Sequence, residues 1–249
     1  MTYRRFVAIG DSFTEGYGDP DPASPGGLRG WADRTADVLA TRSDDFAYAN
    51  LAVRGRLLGR IVDEQIAPAV ALRPDLITIS AGGNDVIRPG TDPDEIAARL
   101  DPALGALAAT GATVVLFTGV DVAFSPVFRR IRGKVAIFNE LLRGLAAEHG
   151  ALVADQWSLK TIQRADRWRE DRLHLNAVGH HEVARMVLDV LQVPNDLEPS
   201  APAPLPERSW RAARVEDLHW TREHLIPWIG RRIRGVSSGD AVEAKRPGF

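Results

Sequence analysis

Five short apolar runs alternate with stretches of helical periodicity along most of this chain, and that alternation constrains the fold more than any other feature. The apolar runs fall at residues 6–9, 46–51, 75–80, 113–117 and 151–155. The helical stretches fall at residues 31–40, 57–72, 93–109, 135–149 and 176–190. Strands separated by helices form βαβ units, whose parallel sheet is covered on both faces. The sequence therefore predicts an α/β fold, a three-layer flavodoxin-like sandwich with a five-stranded parallel sheet in the order 2-1-3-4-5 and helices on both faces.

The composition changes near residue 194, which predicts a division of the chain. Residues 1–193 carry the alternating pattern and are predicted to form one domain, whereas residues 194–206 are rich in Pro and Ala and are typical of a linker or surface strap. Residues 210–234 regain helical spacing, interrupted at Pro227, and residues 235–249 have the composition of a flexible tail.

The helical part of this C-terminal region has two interpretations. Apolar side chains at helical spacing favour docking on the domain; they are Val215, Leu218, Leu225, Ile229 and Ile233. Arg231, Arg232 and Arg234 would instead suit an amphipathic element lying on an anionic membrane. We favour docking, because Pro227 breaks the apolar stripe and nearby acidic side chains offset the arginines.

Composition excludes several classes of function. With 249 residues, of which 45% are hydrophobic and 26% charged, the chain can bury a sizeable core. The net charge of −2 argues against a nucleic-acid partner, and the absence of cysteine excludes disulfides, thiolate metal sites and a cysteine nucleophile. The N-terminus lacks an apolar leader and no apolar run reaches membrane-spanning length, so we expect a cytoplasmic protein without stable membrane insertion. The oligomeric state stays open.

A serine follows the first apolar run at the point where that strand ends. Gly10 stops the run, Asp11 and Ser12 come next, and Gly16 follows shortly after. Ligands of open parallel sheets bind beyond the carboxyl ends of the strands. A single Gly-x-Ser turn is weak evidence, since most such serines only bond local backbone.

Three later stretches also follow predicted strands, and this agreement strengthens the case for a site. The stretches are residues 50–55 after the second strand, residues 82–85 (Gly-Gly-Asn-Asp) after the third, and residues 171–174 (Asp-Arg-Leu-His) between the fifth strand and the last helix. All should share one edge of the sheet with Ser12. We expect the loops at residues 18–30 and 119–130 to shape the pocket there.

The residue types in these stretches suit nucleophilic catalysis. A serine hydroxyl needs a base to take its proton, and His174 has the appropriate chemistry. Asp171, three residues before His174, is close enough to fix the histidine tautomer. An oxyanion then needs donors, for which the backbone N–H groups of Ser12 and Gly55 and the side-chain amide of Asn84 are candidates.

Each of these residues also has a purely structural interpretation. Gly55 could be a turn glycine, and Asn84 with Asp85 could cap a helix. His174 could be a surface histidine, as we expect His180 and His181 to be. Asp11 is expected to hold its turn, and Glu15 beside it could resemble a ligand. No histidine or carboxylate spacing of the helical zinc type occurs, so we predict no metal and no cofactor.

Taken together, these blocks resemble the SGNH hydrolases, also called the GDSL esterase/lipase family, over about residues 5–191. The resemblance implies a serine esterase or lipase in which Ser12 is the nucleophile, His174 the base, Asp171 the orienting acid, and Ser12, Gly55 and Asn84 the oxyanion donors. Phe13 stands where the family often has leucine, and Leu175 where proline is common. The glycine block is the loosest match, so a neighbour of Gly55 could be the true donor.

The leading hypothesis is hydrolysis of small-molecule carboxylic esters through an acyl-Ser12 intermediate. Thioester hydrolysis and acyl transfer remain open within the same fold. A phosphate- or nucleotide-binding flavodoxin-like module is less consistent, because the chain lacks the glycine-rich phosphate motifs and because Asp11 and Glu15 would repel phosphate. A catalytically inactive binding protein is disfavoured by the complete set of reactive residues.

Overall fold

A five-stranded, all-parallel sheet occupies the centre of the molecule. In the computed structural model, which describes residues 2–201, 220, 222–223, 227 and 237–249, the strand order is β2-β1-β3-β4-β5. The strands are β1 (Arg5–Gly10), β2 (Ala47–Asn50), β3 (Leu76–Ser80), β4 (Thr113–Phe117) and β5 (Leu152–Ala154). The predicted fold class and the predicted order are confirmed.

Helices cover both faces of the sheet. They are α1 (Ser12–Glu15), α2 (Gly30–Ala40), α3 (Leu58–Ile61), α4 (Ala67–Ala71), α5 (Gly83–Val86), α6 (Pro93–Ala108), α7 (Arg132–His149) and α8 (Ala177–Val190). One apolar core lies between the sheet and α2 with α8, and a second between the sheet and α3, α4, α6 and α7.

Successive side chains of β1 enter the two cores in turn, and this places the strand in the middle of the molecule. Val7 and Ile9 belong to the core beneath α6 and α7, whereas Phe6 and Ala8 belong to the core beneath α2 and α8. All four are fully buried. A parallel strand that is buried on both faces has a continuous run of apolar residues, which is why the sequence predicted this strand.

The helix predicted over residues 57–72 forms, but it is not regular throughout. A π-helical turn (Val62–Ile66) joins α3 to α4, and Pro68 lies in the first turn of α4. Proline has no N–H to donate to the preceding turn, which explains why the regular hydrogen-bond ladder is interrupted just before it.

The C-terminal end differs from the flexible tail expected from its composition. The side chain of Lys245 is buried, donates to the Arg29 carbonyl at 2.7 Å and pairs with the Asp33 carboxylate. Arg246 forms an antiparallel bridge with Asn50, at the free edge of β2. Composition did not predict that this segment packs on the domain, because the packing depends on a few long-range polar contacts rather than on apolar content.

The docked helix predicted over residues 210–234, and the membrane alternative to it, lie outside the described residues except at isolated positions. One of these, Trp220, is buried, with the Arg172 guanidinium 5.4 Å from its ring centroid. Within the described ranges, no helix combines the length and the apolar character that crossing a membrane requires.

His180 is fully buried, so the expectation of a surface histidine was wrong at this position. Its Nδ1 accepts the Trp31 backbone N–H at 3.3 Å, and its ring stacks near Phe13. The face of α8 that carries His180 packs against α2, which the sequence spacing of polar residues did not reveal. Burial lowers the pKa of His180 to about 4, although the nearby Asp19 acts in the opposite direction.

This buried histidine should make the fold sensitive to acid. Between about pH 6.5 and 4 the unfolded chain binds a proton at His180 that the folded chain does not, so stability falls as the pH falls. Since half of the unfolded chains are already protonated at pH 6.5, the loss between pH 6.5 and 5 is about 1.6 kcal/mol, at about 1.4 kcal/mol per pKa unit. His180→Gln should remove this part of the pH dependence in urea unfolding. His181→Gln on the same helix is the control; identical slopes for all three proteins would contradict the assignment.

Candidate active site

The nucleophile candidate lies where β1 ends. Gly10 takes φ +150°, and a Cβ there would lie 2.6 Å from the Ser80 carbonyl of the neighbouring strand, so only glycine fits. Asp11 then caps α1 by accepting the Phe13 N–H at 3.1 Å. Ser12 is the first residue of α1, where backbone N–H groups have no intrahelical acceptor. The expectation that Asp11 holds this turn is met by this geometry.

A glutamine from the π-helical turn holds the same turn from the other side. Gln65 accepts the Gly10 N–H and donates to the Gly10 carbonyl, both at 2.8 Å. The side chain is buried. It therefore fixes the peptide units that lead directly into Ser12. Sequence reasoning missed Gln65, because a polar residue within an amphipathic helix gives no signal of a long-range contact.

The Asp171–His174 pair forms within one short turn before α8. Asp171 Oδ2 lies 2.8 Å from His174 Nδ1, and Asp171 Oδ1 accepts the backbone N–H groups of Leu173 and His174 at 3.0 Å each. Arg172 between them takes φ +56°, a left-handed conformation that is uncommon outside glycine. The three-residue spacing seen in the sequence therefore brings the carboxylate onto the imidazole.

The Asp171 carboxylate is ionised across the physiological range. Burial alone would raise its pKa, but the hydrogen bond and charge of His174, together with the two backbone N–H groups, lower the pKa of Asp171 to about 2. A carboxylate at Nδ1 directs the proton of a neutral imidazole to that nitrogen. The other nitrogen, Nε2, is then left unprotonated and can act as a base.

Asn84 connects two of the predicted blocks. Its Nδ2 donates to the Asp11 carboxylate at 2.9 Å and to the Arg56 carbonyl at 3.1 Å. Burial raises the pKa of Asp11 to about 6, and the Phe13 N–H, His174 and Asn84 offset part of that effect. The side chain of Asn84 is thus held in one orientation at the end of β3.

Most of the predicted site residues lie around one cavity of about 200 Å³. Ser12, Asn84 and His174 line it, and Asp171 reaches it through His174. Among the described residues no direct hydrogen bond joins Ser12 to His174, which is common in sites without substrate. Much of the remaining wall is apolar and includes Phe117, Val122, Phe124, Phe128, Val135, Phe138 and Leu142.

One expectation about the surroundings of the site requires correction. The loop at residues 119–130 lines the cavity as predicted, but residues 18–30 do not contribute to its wall. Gly55 does not line the cavity, and its role as an oxyanion donor stays a prediction. It has φ +72°, and the position of a Cβ there would lie 2.3 Å from Ser237 Oγ, in the C-terminal segment.

Tyr17 is a second residue that sequence reasoning missed. Its ring lies edge-on to His174 with the centroids 4.6 Å apart, and the Arg54 guanidinium lies 4.8 Å from its centroid. Arg54 is itself fixed by the buried Glu15, with contacts down to 2.6 Å. Glu15 is therefore an ion-pair partner within the fold rather than a metal ligand. The Tyr17 ring, packed against His174, restricts the orientation of the imidazole.

One cluster of ligand-type side chains lies elsewhere. The ligand atoms of Asp101, Glu148 and His149 lie within 4.8 Å of one another, between α6 and α7. His149 Nε2 lies 2.6 Å from Asp101 Oδ1, which accounts for the pair without an ion. None of the three lines the cavity.

The sequence matches a known family over most of its length. The profile of the GDSL-like Lipase/Acylhydrolase family matches residues 8–182, a range that contains Ser12, Gly55, Asn84, Asp171 and His174. The chain therefore belongs to this family of carboxylic ester hydrolases, as its motifs predicted. No curated protein sequence shows significant similarity to it.

Solved structures share the fold at low sequence identity. LAE5, an alpha/beta hydrolase enzyme from the metagenome of Lake Arreo in Spain, is 22% identical with a TM-score of 0.66, over 78% of this chain and 97% of its own. Axe2, an acetylxylan esterase from Geobacillus stearothermophilus, is 19% identical with a TM-score of 0.59, over 81% and 100%. The psychrotrophic esterase EstA from Pseudoalteromonas sp. is 18% identical with a TM-score of 0.58, over 75% and 96%.

Proposed function

We propose that this ester hydrolase acts through Ser12 as nucleophile, His174 as general base and Asp171 as the orienting carboxylate. The observation that carries the proposal is the Asp171–His174 contact at 2.8 Å beside a cavity that Ser12 also lines. The contact leaves Nε2 of His174 as the nitrogen that takes the serine proton. Hydrolysis of p-nitrophenyl esters by the purified protein is the direct test.

The reaction proceeds in two steps of the same form. Ser12 Oγ bonds to the ester carbonyl carbon while its proton passes to His174. When the tetrahedral intermediate collapses, the bond to the alcohol oxygen breaks and His174 gives that oxygen the proton. Water, deprotonated by His174, then attacks the acyl-Ser12 carbonyl carbon. The bond to Ser12 Oγ breaks, His174 returns the proton to Oγ, and the acid is released.

The developing oxyanion needs fixed donors. We assign the Ser12 backbone N–H and the Asn84 amide to this role, since both belong to the cavity wall. In the free protein both N–H groups of the Asn84 amide are engaged, one by Asp11 and one by Arg56. When substrate binds, the oxyanion replaces the Asp11 carboxylate as acceptor, and the bond to the Arg56 carbonyl keeps the amide in place. The Gly55 N–H stays a prediction as a third donor.

Asn84→Ala should lower kcat by about 10²–10³ with little change in KM, because the amide acts on charge that develops only in the transition state. Steady-state kinetics on one ester measure the two constants separately. Asp85→Asn is the neighbouring control, since Asp85 accepts the Leu58 N–H and does not line the cavity. A change confined to KM would assign Asn84 to substrate binding instead.

The apolar wall of the cavity supports acyl groups longer than acetyl as the preferred substrates. Each methylene buried there contributes about 0.8 kcal/mol, or roughly fourfold in kcat/KM, until the cavity is full. We therefore expect kcat/KM to rise from acetate to butyrate and hexanoate esters. Thioesters and acyl transfer to another alcohol would use the same acyl-Ser12 intermediate and are separated by product analysis.

Val135→Phe should abolish this preference for longer acyl groups, because the larger ring would occupy part of the cavity that Val135 lines. Ile137→Phe is the matched control, since Ile137 lies on the same helix and is 54% exposed. The measurement is kcat/KM across a p-nitrophenyl ester series. An unchanged chain-length profile in Val135→Phe would show that the acyl chain binds elsewhere.

A cytoplasmic location and the lack of a nucleic-acid partner stay predictions of the sequence. Cell fractionation with an antibody against the chain tests the first, and gel-shift titration with duplex DNA tests the second.

A further inference from the structure

We propose that the C-terminal segment, residues 237–246, is a positioning element for the reaction, acting through the turn at residues 53–56. This inference rests on the proposed role of Asn84, whose amide donates to the Arg56 carbonyl at 3.1 Å. The segment lies outside residues 8–182, the range matched by the family profile.

The segment packs on the turn backbone to backbone. Gly239 is buried, and a Cβ there would lie 2.0 Å from the Arg54 carbonyl oxygen and 3.0 Å from Val53 Cγ1. Across the same contact, a Cβ at Gly55 would lie 2.3 Å from Ser237 Oγ. Gly239 is therefore needed for the two pieces of backbone to approach closely, whereas Gly55 faces the side chain of Ser237 and is favoured by its φ of +72°.

Arg56 joins the segment to the turn through its side chain. Its guanidinium is buried, donates to the Gly239 carbonyl at 3.1 Å and pairs with Glu64 at 2.8 Å. Asp240 lies 3.6 Å from the same guanidinium and 2.9 Å from that of Arg60. Since the Arg56 carbonyl accepts from Asn84, fixing Arg56 also fixes the amide.

The far end of the segment is anchored independently of the turn. Lys245 is buried against Asp33 and the carbonyls of Leu28 and Arg29, and Arg246 bridges to Asn50 at the edge of β2. The segment is thus held at two points. Between them, residues 237–242 form a tight turn in which Gly239 donates to Ser237 Oγ and accepts the Val242 N–H.

The contact matters for catalysis because an oxyanion site tolerates only small displacements of its donors. A displacement of about 1 Å in a positioning group can cost about 10²-fold in rate. Moving the turn at residues 53–56 would move the acceptor that orients the Asn84 amide. The effect should fall on kcat, because the amide acts on the transition state. KM, which the apolar acyl pocket governs, should change little.

The test uses two glycine substitutions within the full chain. Gly239→Ala introduces a Cβ against the Arg54 carbonyl, whereas Gly248→Ala places its Cβ in open space and is the matched control. Active-site titration with a fluorophosphonate counts competent sites, so that kcat is expressed per titrated Ser12. We expect Gly239→Ala to lose about tenfold or more in kcat, with KM within about threefold, and Gly248→Ala to match the wild type.

The outcomes separate the two proposals. If Gly239→Ala labels to completion and retains kcat within about twofold of the wild type, the segment is only structural and the inference is overturned. If the wild type does not label at Ser12, the proposed function itself fails. Asp240→Asn is a second probe should Gly239→Ala not fold, because Asp240 is half exposed and its loss removes the charge pairing with Arg56 and Arg60. A fall in kcat alone supports the inference, and unchanged kinetics contradict it.

Discussion

Ser12→Ala should lower kcat by about 10⁴-fold or more while leaving the melting temperature close to that of the wild type. The hydroxyl supplies the bond to the acyl group, and no other group in the turn can replace it. The change should not disturb the fold, because alanine suits the first position of α1 and the Gln65–Gly10 hydrogen bonds do not involve the Ser12 side chain.

Ser80→Ala is the matched control for this experiment. Ser80 lines the same cavity and pairs in register with Gly10, but it has no partner in the proposed chemistry. Its substitution should leave kcat within about threefold of the wild type. Substantial turnover by Ser12→Ala, or equal losses in both variants, would contradict the assignment of Ser12 as nucleophile.

Asp171→Asn should lower kcat by about 10⁴-fold, the size of effect seen when the orienting carboxylate of a serine–histidine–aspartate triad becomes an amide. The amide N–H would face His174 Nδ1 and move the imidazole proton to Nε2, where it prevents removal of the serine proton. An asparagine oxygen can still accept the N–H groups of Leu173 and His174, so the turn should persist.

Asp166→Asn is the control for this variant, since Asp166 lies in the preceding turn and pairs with Arg164 rather than with the imidazole. Steady-state kinetics and a thermal melt of both variants are the measurements. Near-normal turnover by Asp171→Asn would indicate that Ser12 and His174 work without the carboxylate.

The sheet could be predicted because buried parallel strands give continuous apolar runs. Residues 113–117 illustrate this, since the predicted and observed bounds of β4 coincide. The meeting of Asp171 with His174 could also be predicted, because three residues separate them within one turn. Ser12 and Asn84 were expected to meet because both follow strands at the same edge of the sheet.

Other features depend on contacts between distant segments, which spacing alone does not encode. Gln65 reaches Gly10 across 55 positions, and Lys245 reaches Asp33 across 212. His180 was predicted to be a surface residue because it lies next to His181 and other polar residues. Their spacing does not indicate which face of α8 packs on α2. Gly55 was correctly expected in a turn, but the segment that covers it could not be inferred from a polar, glycine-containing C-terminus.

Labelling of the wild-type protein with a fluorophosphonate, followed by intact-mass measurement and peptide mapping, tests directly whether Ser12 is the nucleophile. EstA, which shares the fold, has been solved in a form inhibited by monoethylphosphonate. We predict one phosphonyl group per chain, attached to Ser12, with ester hydrolysis lost in proportion to labelling. An adduct on a different residue that accounts for the lost activity, or full hydrolysis with no adduct at all, would show that Ser12 is not the nucleophile.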